Sequence, residues 1–336
     1  MASISANSSQ ALTPENFPES VFGNIKKRVD LLAIAAACKL SQSGVGQPKQ
    51  IDTARALLAN ASFFSLEGYP VLQPTFGTAT HFTFKSPEPS PWPQNNTGSG
   101  QLHKCGTGWR SCPTIILLHG WNAELCYRYL FPHIAKKALK RGFNTLFFEL
   151  PLHSQRRPRG DGAVKDWISD NLLAMLGATR QTLLEIEGLT QWLKSQGSPA
   201  VHTWGLSLGA WLAGLHLCHS VSGNGAVLAT PVARMDLVVN TLSFCAPVRS
   251  ALNNQEFDFS KLNLAMHRPR IVPQNILLVE SIFDQFAPPE TVEDLHRAWS
   301  GSELWRVPHG HISLIFSLST IEKTLHWLED RGKNRR

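Results

Sequence analysis

Gly205-Leu206-Ser207-Leu208-Gly209 is the stretch whose reading decides the fold. It follows the β-prone run Ala200-Val201-His202-Thr203-Trp204 and precedes the helix-prone run Ala210-Trp211-Leu212-Ala213-Gly214-Leu215-His216-Leu217. A strand that feeds straight into a helix must turn sharply, and the serine at the corner is forced into a strained backbone conformation. Glycine is needed on both sides because a Cβ there would collide with the neighbouring strand or helix. The strain lifts the serine Oγ out of the packing and sets it over a helix N-terminus. A glycine-bracketed helix cap would carry the same five residues. The rest of the chain separates the two readings, and in its company Ser207 reads as a nucleophile.

From Pro113 onward the pattern alternates. Apolar strands are expected over Thr114 to Leu118, Asn144 to Leu150, Gly225 to Thr230, Gln274 to Glu280 and Glu303 to Val307, besides the one that ends at the serine corner. Helices are expected over Glu124 to Lys140, Leu172 to Ser195, Thr291 to Trp299 and Leu318 to Glu329. Strands that are apolar throughout, with helices between them, predict a doubly wound, mostly parallel sheet of the α/β class. Val232 to Val272 breaks the alternation with prolines and Asn253-Asn254, and predicts a small helical cap over the carboxyl edge of the sheet, where such sheets bind ligands. Residues 1–110 read as an N-terminal arm packed on the core and 111–336 as the main domain. In the arm, 1–20 read as disordered, Val21 to Cys38 and Ile51 to Ala59 as helical, and Thr80 to Lys85 as a strand. The proline-rich Ser86 to Gln101 reads as a loop or hairpin tip.

Three further motifs fall where nucleophilic catalysis requires them. Leu117-Leu118-His119-Gly120-Trp121-Asn122 closes an apolar strand. A tetrahedral intermediate puts negative charge on the former carbonyl oxygen and needs fixed N–H donors. The backbone of Leu208, just after the nucleophile, is one candidate, and that of Trp121 is the other. His119 is expected to be a structural member of this loop. Leu278-Val279-Glu280-Ser281-Ile282-Phe283-Asp284 carries an acid just beyond a strand, placed to accept the Nδ1 hydrogen of a histidine. Asp284 is the preferred acid and Glu280 the fallback. Val307-Pro308-His309-Gly310-His311-Ile312 supplies the general base. His311 is preferred over His309, because Gly310 lets the turn bring His311 inward.

The chain order Ser207, Asp284, His311 is that of α/β-hydrolases rather than of chymotrypsin-like or subtilisin-like enzymes. With His119-Gly120-Trp121 as oxyanion loop, Gly205 to Gly209 as nucleophile elbow and Gly310-His311 as histidine turn, residues 113 to 330 resemble a serine α/β-hydrolase. The resemblance implies the α/β-hydrolase fold and carboxylic-ester hydrolysis through an acyl-enzyme. The same three residues also serve thioesters, amides and acyl transfer, and some proteins of this fold act only as binding or scaffold proteins. One departure follows the Asn144 to Leu150 strand. Many members have Asp-x-x-Gly-x-Gly there, whereas this chain reads Pro151-Leu152-His153-Ser154-Gln155-Arg156-Arg157-Pro158. The Pro-x-His-x-x-Arg-x-Pro form resembles a poorly characterised branch of the superfamily. Arg156 and Arg157 on this loop are candidate forks for a carboxylate or phosphate on the substrate. The alternative is that they face water or tie down Asp161 and Asp166.

Composition narrows the remaining classes. With 43% hydrophobic and 17% charged residues, the chain of 336 residues is an ordinary globular protein with ample core. A net charge of +7 raises nucleic acid as a partner, but the basic residues are scattered and no binding motif accompanies them. The six cysteines lack zinc spacing; Cys105 and Cys112 alone bracket a turn and could pair in an oxidising compartment. Leu31 to Cys38 is apolar but too short to span a membrane, so no stable insertion is expected and cytoplasmic residence is the default. No metal or organic cofactor is implied, since protein groups supply nucleophile, base and oxyanion donors. The expected partner is a small-molecule ester.

Overall fold

A computed structural model of the chain describes residues 21–40, 48–160 and 167–333. The disorder expected over 1–20, the last residues of the basic tail, Asp161 and Asp166 lie outside the described residues. The elements run, in order, α1 (Val21–Leu40), α2 (Pro48–Ala59), β1 (Thr75–Phe76), β2 (His81–Lys85), β3 (Thr97–His103), β4 (Thr114–Leu118), α3 (Ala123–Leu125), α4 (Phe131–Leu139), β5 (Asn144–Phe148) and α5 (Leu172–Ser195). They continue with β6 (Val201–Leu206), α6 (Leu208–His219), β7 (Gly225–Ala229), α7 (Met235–Thr241), α8 (Ala246–Leu252), β8 (Ile276–Ser281), α9 (Pro289–Ala298), β9 (Glu303–Val307) and α10 (Leu318–Lys333).

The strands form one nine-stranded sheet in the order β1-β2-β3-β5-β4-β6-β7-β8-β9. From β5 to β9 every pair is parallel, and β1, β2 and β3 extend the sheet antiparallel beyond β5. The expected doubly wound, mostly parallel sheet is therefore present. The central strands β4 to β8 are buried along their whole length because both faces are covered, and β4, β7 and β8 accordingly read as largely apolar runs. Ile116, Leu118, Leu146, Phe148, Leu228 and Leu278 face one hydrophobic core shared with α5, α6 and α9. Ile115, Leu117, Phe147, Val227 and Leu277 face a second core shared with α4 and α10. Register decides the site. Leu118 lies opposite both Phe148 and Gly205, Leu206 opposite Ala229, and Ser281 opposite Val307. The strand ends coincide, so the segments that follow β4, β6, β8 and β9 emerge side by side.

Two elements differ from the sequence expectation. The loop expected over Ser86 to Gln101 ends early, because Thr97–His103 is strand β3. Its Thr-Gly-Ser-Gly start looks like a turn, but the glycines serve side-chain packing. A Cβ on Gly98 would lie 2.1 Å from the Phe84 ring, and one on Gly100 would lie 2.3 Å from the Phe147 carbonyl oxygen and 2.6 Å from the Phe82 ring. The phenylalanines of β2 occupy the space that β3 leaves empty. The single helix expected over Glu124 to Lys140 is interrupted by a π-turn at Cys126–Leu130 between α3 and α4.

Between β7 and β8 lie α7, α8 and four short 3-10 turns, Ser243–Cys245, Phe259–Leu262, Leu264–Met266 and Pro273–Asn275, with α7, the first of these turns and α8 lying over the Ser207 end of the sheet. α1 joins them: Ile34 and Ala37 are buried against Val238, Phe244 and Cys245. No helix among the described residues is long and apolar enough to cross a membrane. Cys105 and Cys112 are free thiols, and burial together with the adjacent Cys112 pushes Cys105 up to about 12.

Gly100→Val is expected to destabilise the protein by about 1–3 kcal/mol through overpacking, read as a lowered Tm. An unchanged Tm would show that the ring and the strand can separate freely.

Candidate active site

Ser207 sits between β6 and α6 with φ 54° and ψ −113°, a left-handed conformation that a residue with a Cβ rarely holds. The surroundings enforce it. A Cβ on Gly205 would lie 2.5 Å from the Gly209 carbonyl oxygen, and one on Gly209 would lie 2.3 Å from the Leu118 carbonyl oxygen. The Ser207 N–H donates to the Ala229 carbonyl at 2.9 Å, and the Ser207 carbonyl accepts from Trp211 N–H at 2.9 Å. The corner is thus pinned on both sides, with Oγ raised above the sheet edge.

His311 Nε2 lies 2.7 Å from Ser207 Oγ, and its Nδ1 lies 2.7 Å from Asp284 Oδ2. With Nδ1–H donated to the carboxylate, the neutral ring presents an Nε2 lone pair to the serine hydroxyl. The other oxygen of Asp284 accepts from the N–H groups of Phe286, at 2.7 Å, and Ala287, at 2.8 Å, which fixes the carboxylate. Burial disfavours the imidazolium, but the Asp284 carboxylate, hydrogen-bonded to it, and the nearby Asp30 carboxylate outweigh burial and raise the His311 pKa. Phe286 stacks on the imidazole with ring centres 4.7 Å apart.

The two alternatives of the sequence reading lie elsewhere. Glu280 is fully buried on β8 and faces Arg306 of β9 at 3.5 Å; burial pushes its carboxyl up to about 7. His309 accepts the Phe283 N–H at its carbonyl, and burial with the neighbouring Lys26 pushes its imidazole down to about 4.

His119 is fully buried, and its two ring nitrogens have opposite roles. Nε2 accepts the Leu150 N–H at 3.1 Å, so Nδ1 carries the proton and donates to the Gly120 carbonyl at 2.7 Å. Burial, then the neighbouring His153, holds its pKa well below the usual value, so the ring stays neutral. In a trans peptide the carbonyl and the following N–H point to opposite sides. Anchoring the Gly120 carbonyl on His119 therefore directs the Trp121 N–H the other way. Gly120 is close enough that its Cβ would lie 3.4 Å from the Ser207 Cβ. Leu208 N–H belongs to the first turn of α6, whose N-terminal amides carry partial positive charge.

Above Ser207 opens a cavity of about 560 Å³. Its walls are mainly apolar, with Trp121, Met175, Val238, Phe244, Val248 and Phe286 among them, and Ser207 and His311 are exposed to it. α7 and α8 contribute from one side, and α1 contributes Ala33, Ala36 and Ala37 from another.

Arg156 requires a correction. It is only 1% exposed and forks onto Glu185 of α5, with Nη1 and Nη2 each 2.7 Å from a carboxylate oxygen. It also donates to the carbonyls of Glu149, at 2.9 Å, and Asn95, at 2.8 Å. No donor is left to face a substrate. The loop around it is equally committed, since Glu149 accepts from Ser99 Oγ at 2.6 Å and Gln155 N–H at 2.5 Å, and Asn95 Oδ1 accepts the Leu152 N–H at 2.9 Å. Arg157, by contrast, is exposed and lies at the wall of the cavity. The glutamate partner lies 29 residues away on another element, so no local pattern could reveal the pair.

A strained serine corner hydrogen-bonded to a histidine that is itself paired with an acid, on the carboxyl edge of such a sheet, is the arrangement of the α/β class of hydrolases. The sequence profile described as the alpha/beta hydrolase family matches residues 115–330, and the chain belongs to that family. Among solved structures, an esterase of Pyrococcus furiosus superposes with a TM-score of 0.52 at 17% identity, covering 88% of this chain and 97% of its own. An acetyl xylan esterase from Paenibacillus sp. R4 gives 0.53 at 12% identity, with 87% and 98% covered. The acylaminoacyl peptidase of Pyrococcus horikoshii gives 0.54 at 12%, covering 77% of this chain and 41% of its own. These likenesses are of fold. No curated protein matches the chain significantly.

Breaking the buried pair is expected to act on stability and not on specificity. Arg156→Gln should cost about 3–5 kcal/mol, seen in denaturant unfolding, because it leaves the Glu185 charge buried and uncompensated. The ratio of kcat/KM between acidic and neutral esters of equal size should not change, and a selective loss on the acidic ester would restore Arg156 to the substrate site.

Proposed function

We propose that the protein is a serine hydrolase that cleaves carboxylic esters through an acyl-enzyme intermediate. The observation that carries this reading is the unbroken chain from Ser207 Oγ through His311 to Asp284, with both contacts at 2.7 Å. His311 takes the hydroxyl proton as Ser207 attacks the ester carbonyl. Asp284 holds the Nδ1–H tautomer and stabilises the imidazolium that forms. The N–H groups of Leu208 and Trp121 receive the developing oxyanion, the second of them oriented through the His119–Gly120 bond. His311 then gives its proton to the leaving alcohol. Water enters, loses a proton to His311 and releases the acid from Ser207.

The apolar cavity favours esters with a hydrocarbon or aromatic group, because each buried methylene contributes about 0.8 kcal/mol of binding. Arg157 is the one of the two loop arginines that remains available to meet an acidic substituent at the rim. In the Pro-x-His-x-x-Arg-x-Pro segment, on this reading, Arg156 is an internal strut and not a substrate ligand.

Ser207→Ala should abolish hydrolysis of p-nitrophenyl esters, with losses of order 10⁴ to 10⁶ in kcat, and should abolish fluorophosphonate labelling. Ala carries the same Cβ and fits the same backbone, so Tm should be nearly unchanged. Retained activity in the folded Ala variant would remove Ser207 from the mechanism.

The base must be neutral to work, so kcat/KM should rise as His311 loses its proton. Because the folded pKa is raised, the midpoint should lie above the usual 6.5. His311→Ala should remove this limb together with the activity, whereas His309→Ala should keep both. An acidic limb centred well below 6.5, or the opposite ranking of the two histidines, would count against the assignment.

A further inference from the structure

Asp30 lies in the middle of α1, some 250 residues from the candidate catalytic loops, yet its carboxylate is completely buried among them. Oδ2 accepts the His311 N–H at 2.7 Å and the Gln285 N–H at 3.2 Å, and Oδ1 accepts the Ile312 N–H at 3.0 Å. One carboxylate thus binds both the loop after β8, next to Asp284, and the turn that carries His311. A buried carboxylate is costly unless hydrogen-bonded, and these three donors satisfy it.

The fit is specific. A Cβ on Gly310 would lie 2.9 Å from Asp30 Oδ2. Gly310 does not have a positive φ, so its lack of a side chain is explained by the approach of Asp30 rather than by the turn. The rest of α1 grips the same two loops. A Cβ on Gly23 would lie 2.9 Å from the Phe283 ring, the Lys26 and Lys27 ammonium groups each lie 5.9 Å from the centre of that ring, and Lys26 donates to the Pro308 carbonyl.

We propose that Asp30 is a positioning residue for His311: supplied from a sequence-distant helix of the same chain, it clamps the acid loop to the histidine turn and places a second negative charge beside the imidazole. This rests on His311 being the base of the reaction proposed above. Among the described residues, the charged or titratable groups that face the histidine turn are Asp284 from the loop after β8, Asp30 and Lys26 from α1, and His309 within the turn. Only the two carboxylates favour the imidazolium. Burial raises the pKa of Asp30 itself, and the Ile312 and His311 N–H groups act against that rise. The same helix lines the cavity with Ala33, Ala36 and Ala37, so one element holds both the roof over the substrate and the alignment of the base.

The test compares wild type, Asp30→Asn and Ser207→Ala by p-nitrophenyl ester kinetics from pH 5 to 9, with thermal unfolding of each. Asp30→Asn removes the charge and turns an NH₂ group toward backbone N–H donors. The expected result is a kcat lowered by roughly 10²-fold with KM little changed, since a small misplacement of a reacting group has that effect. The acidic limb of kcat/KM should also move to lower pH, because one of the two charges that stabilise the imidazolium is gone. A purely structural role would lower Tm and leave the limb in place. A folded Asp30→Asn enzyme with unchanged kcat and an unmoved limb overturns the proposal, while activity in Ser207→Ala would instead overturn the mechanism on which it rests. Should Asp30→Asn not fold, Gly310→Ala makes the same comparison by pushing the carboxylate away without changing a charge. A lowered kcat there supports the clamp, and full activity overturns it.

Discussion

The site depends on a residue held where its own backbone would not choose to be. Ser207 keeps φ 54° because Gly205 and Gly209 let β6, α6 and the end of β4 close to distances at which any Cβ would collide. A strained conformation persists only when its surroundings over-determine it. Here the surroundings are the β4–β6–β7 register, the Ser207–Ala229 hydrogen bond and the first turn of α6. The same register aligns the ends of β8 and β9, so the acid and the histidine arrive at the height of the serine without long excursions.

Around this corner the polar groups form a scaffold of buried bonds. His119 bridges Leu150 to Gly120, Glu149 bridges Ser99 to the loop after β5, and Arg156 ties that loop to α5 through Glu185. Each buried charge needs its partner, since an unpaired one costs several kcal/mol. Arginine at the carboxyl edge of a sheet invites a reading as substrate ligand, and burial decides otherwise for Arg156 but not for its neighbour. The distinction between the two lies wholly in which side of the backbone the guanidinium leaves.

The N-terminal helix takes part in assembling the candidate site. The family match spans 115–330, yet α1 lies outside it and reaches the centre of the site through Asp30. Asp30 stands between Lys26-Lys27-Arg28 and the apolar run Leu31 to Cys38, and nothing nearby in sequence explains its burial. Its reason is three backbone N–H groups on loops that come some 250 residues later.

What the sequence determined by itself is what short-range physics encodes. The uniformly apolar strands announce a sheet covered on both faces, and the glycine-bracketed serine announces a sharp strand-to-helix corner. The order of serine, acid and histidine selects the topology in which all three meet. Signals that depend on distant partners were silent. Gly98 and Gly100 look like turn residues until the Phe84 and Phe82 rings lie across them, and the first part of β3 reads as loop for that reason. Arg156 is a surface cation in sequence and an enclosed one in the fold, and Asp30, far away in sequence, is buried against the loops that carry Asp284 and His311. Periodicity and spacing describe a residue's neighbours along the chain, whereas burial and pairing depend on neighbours that only tertiary packing brings near.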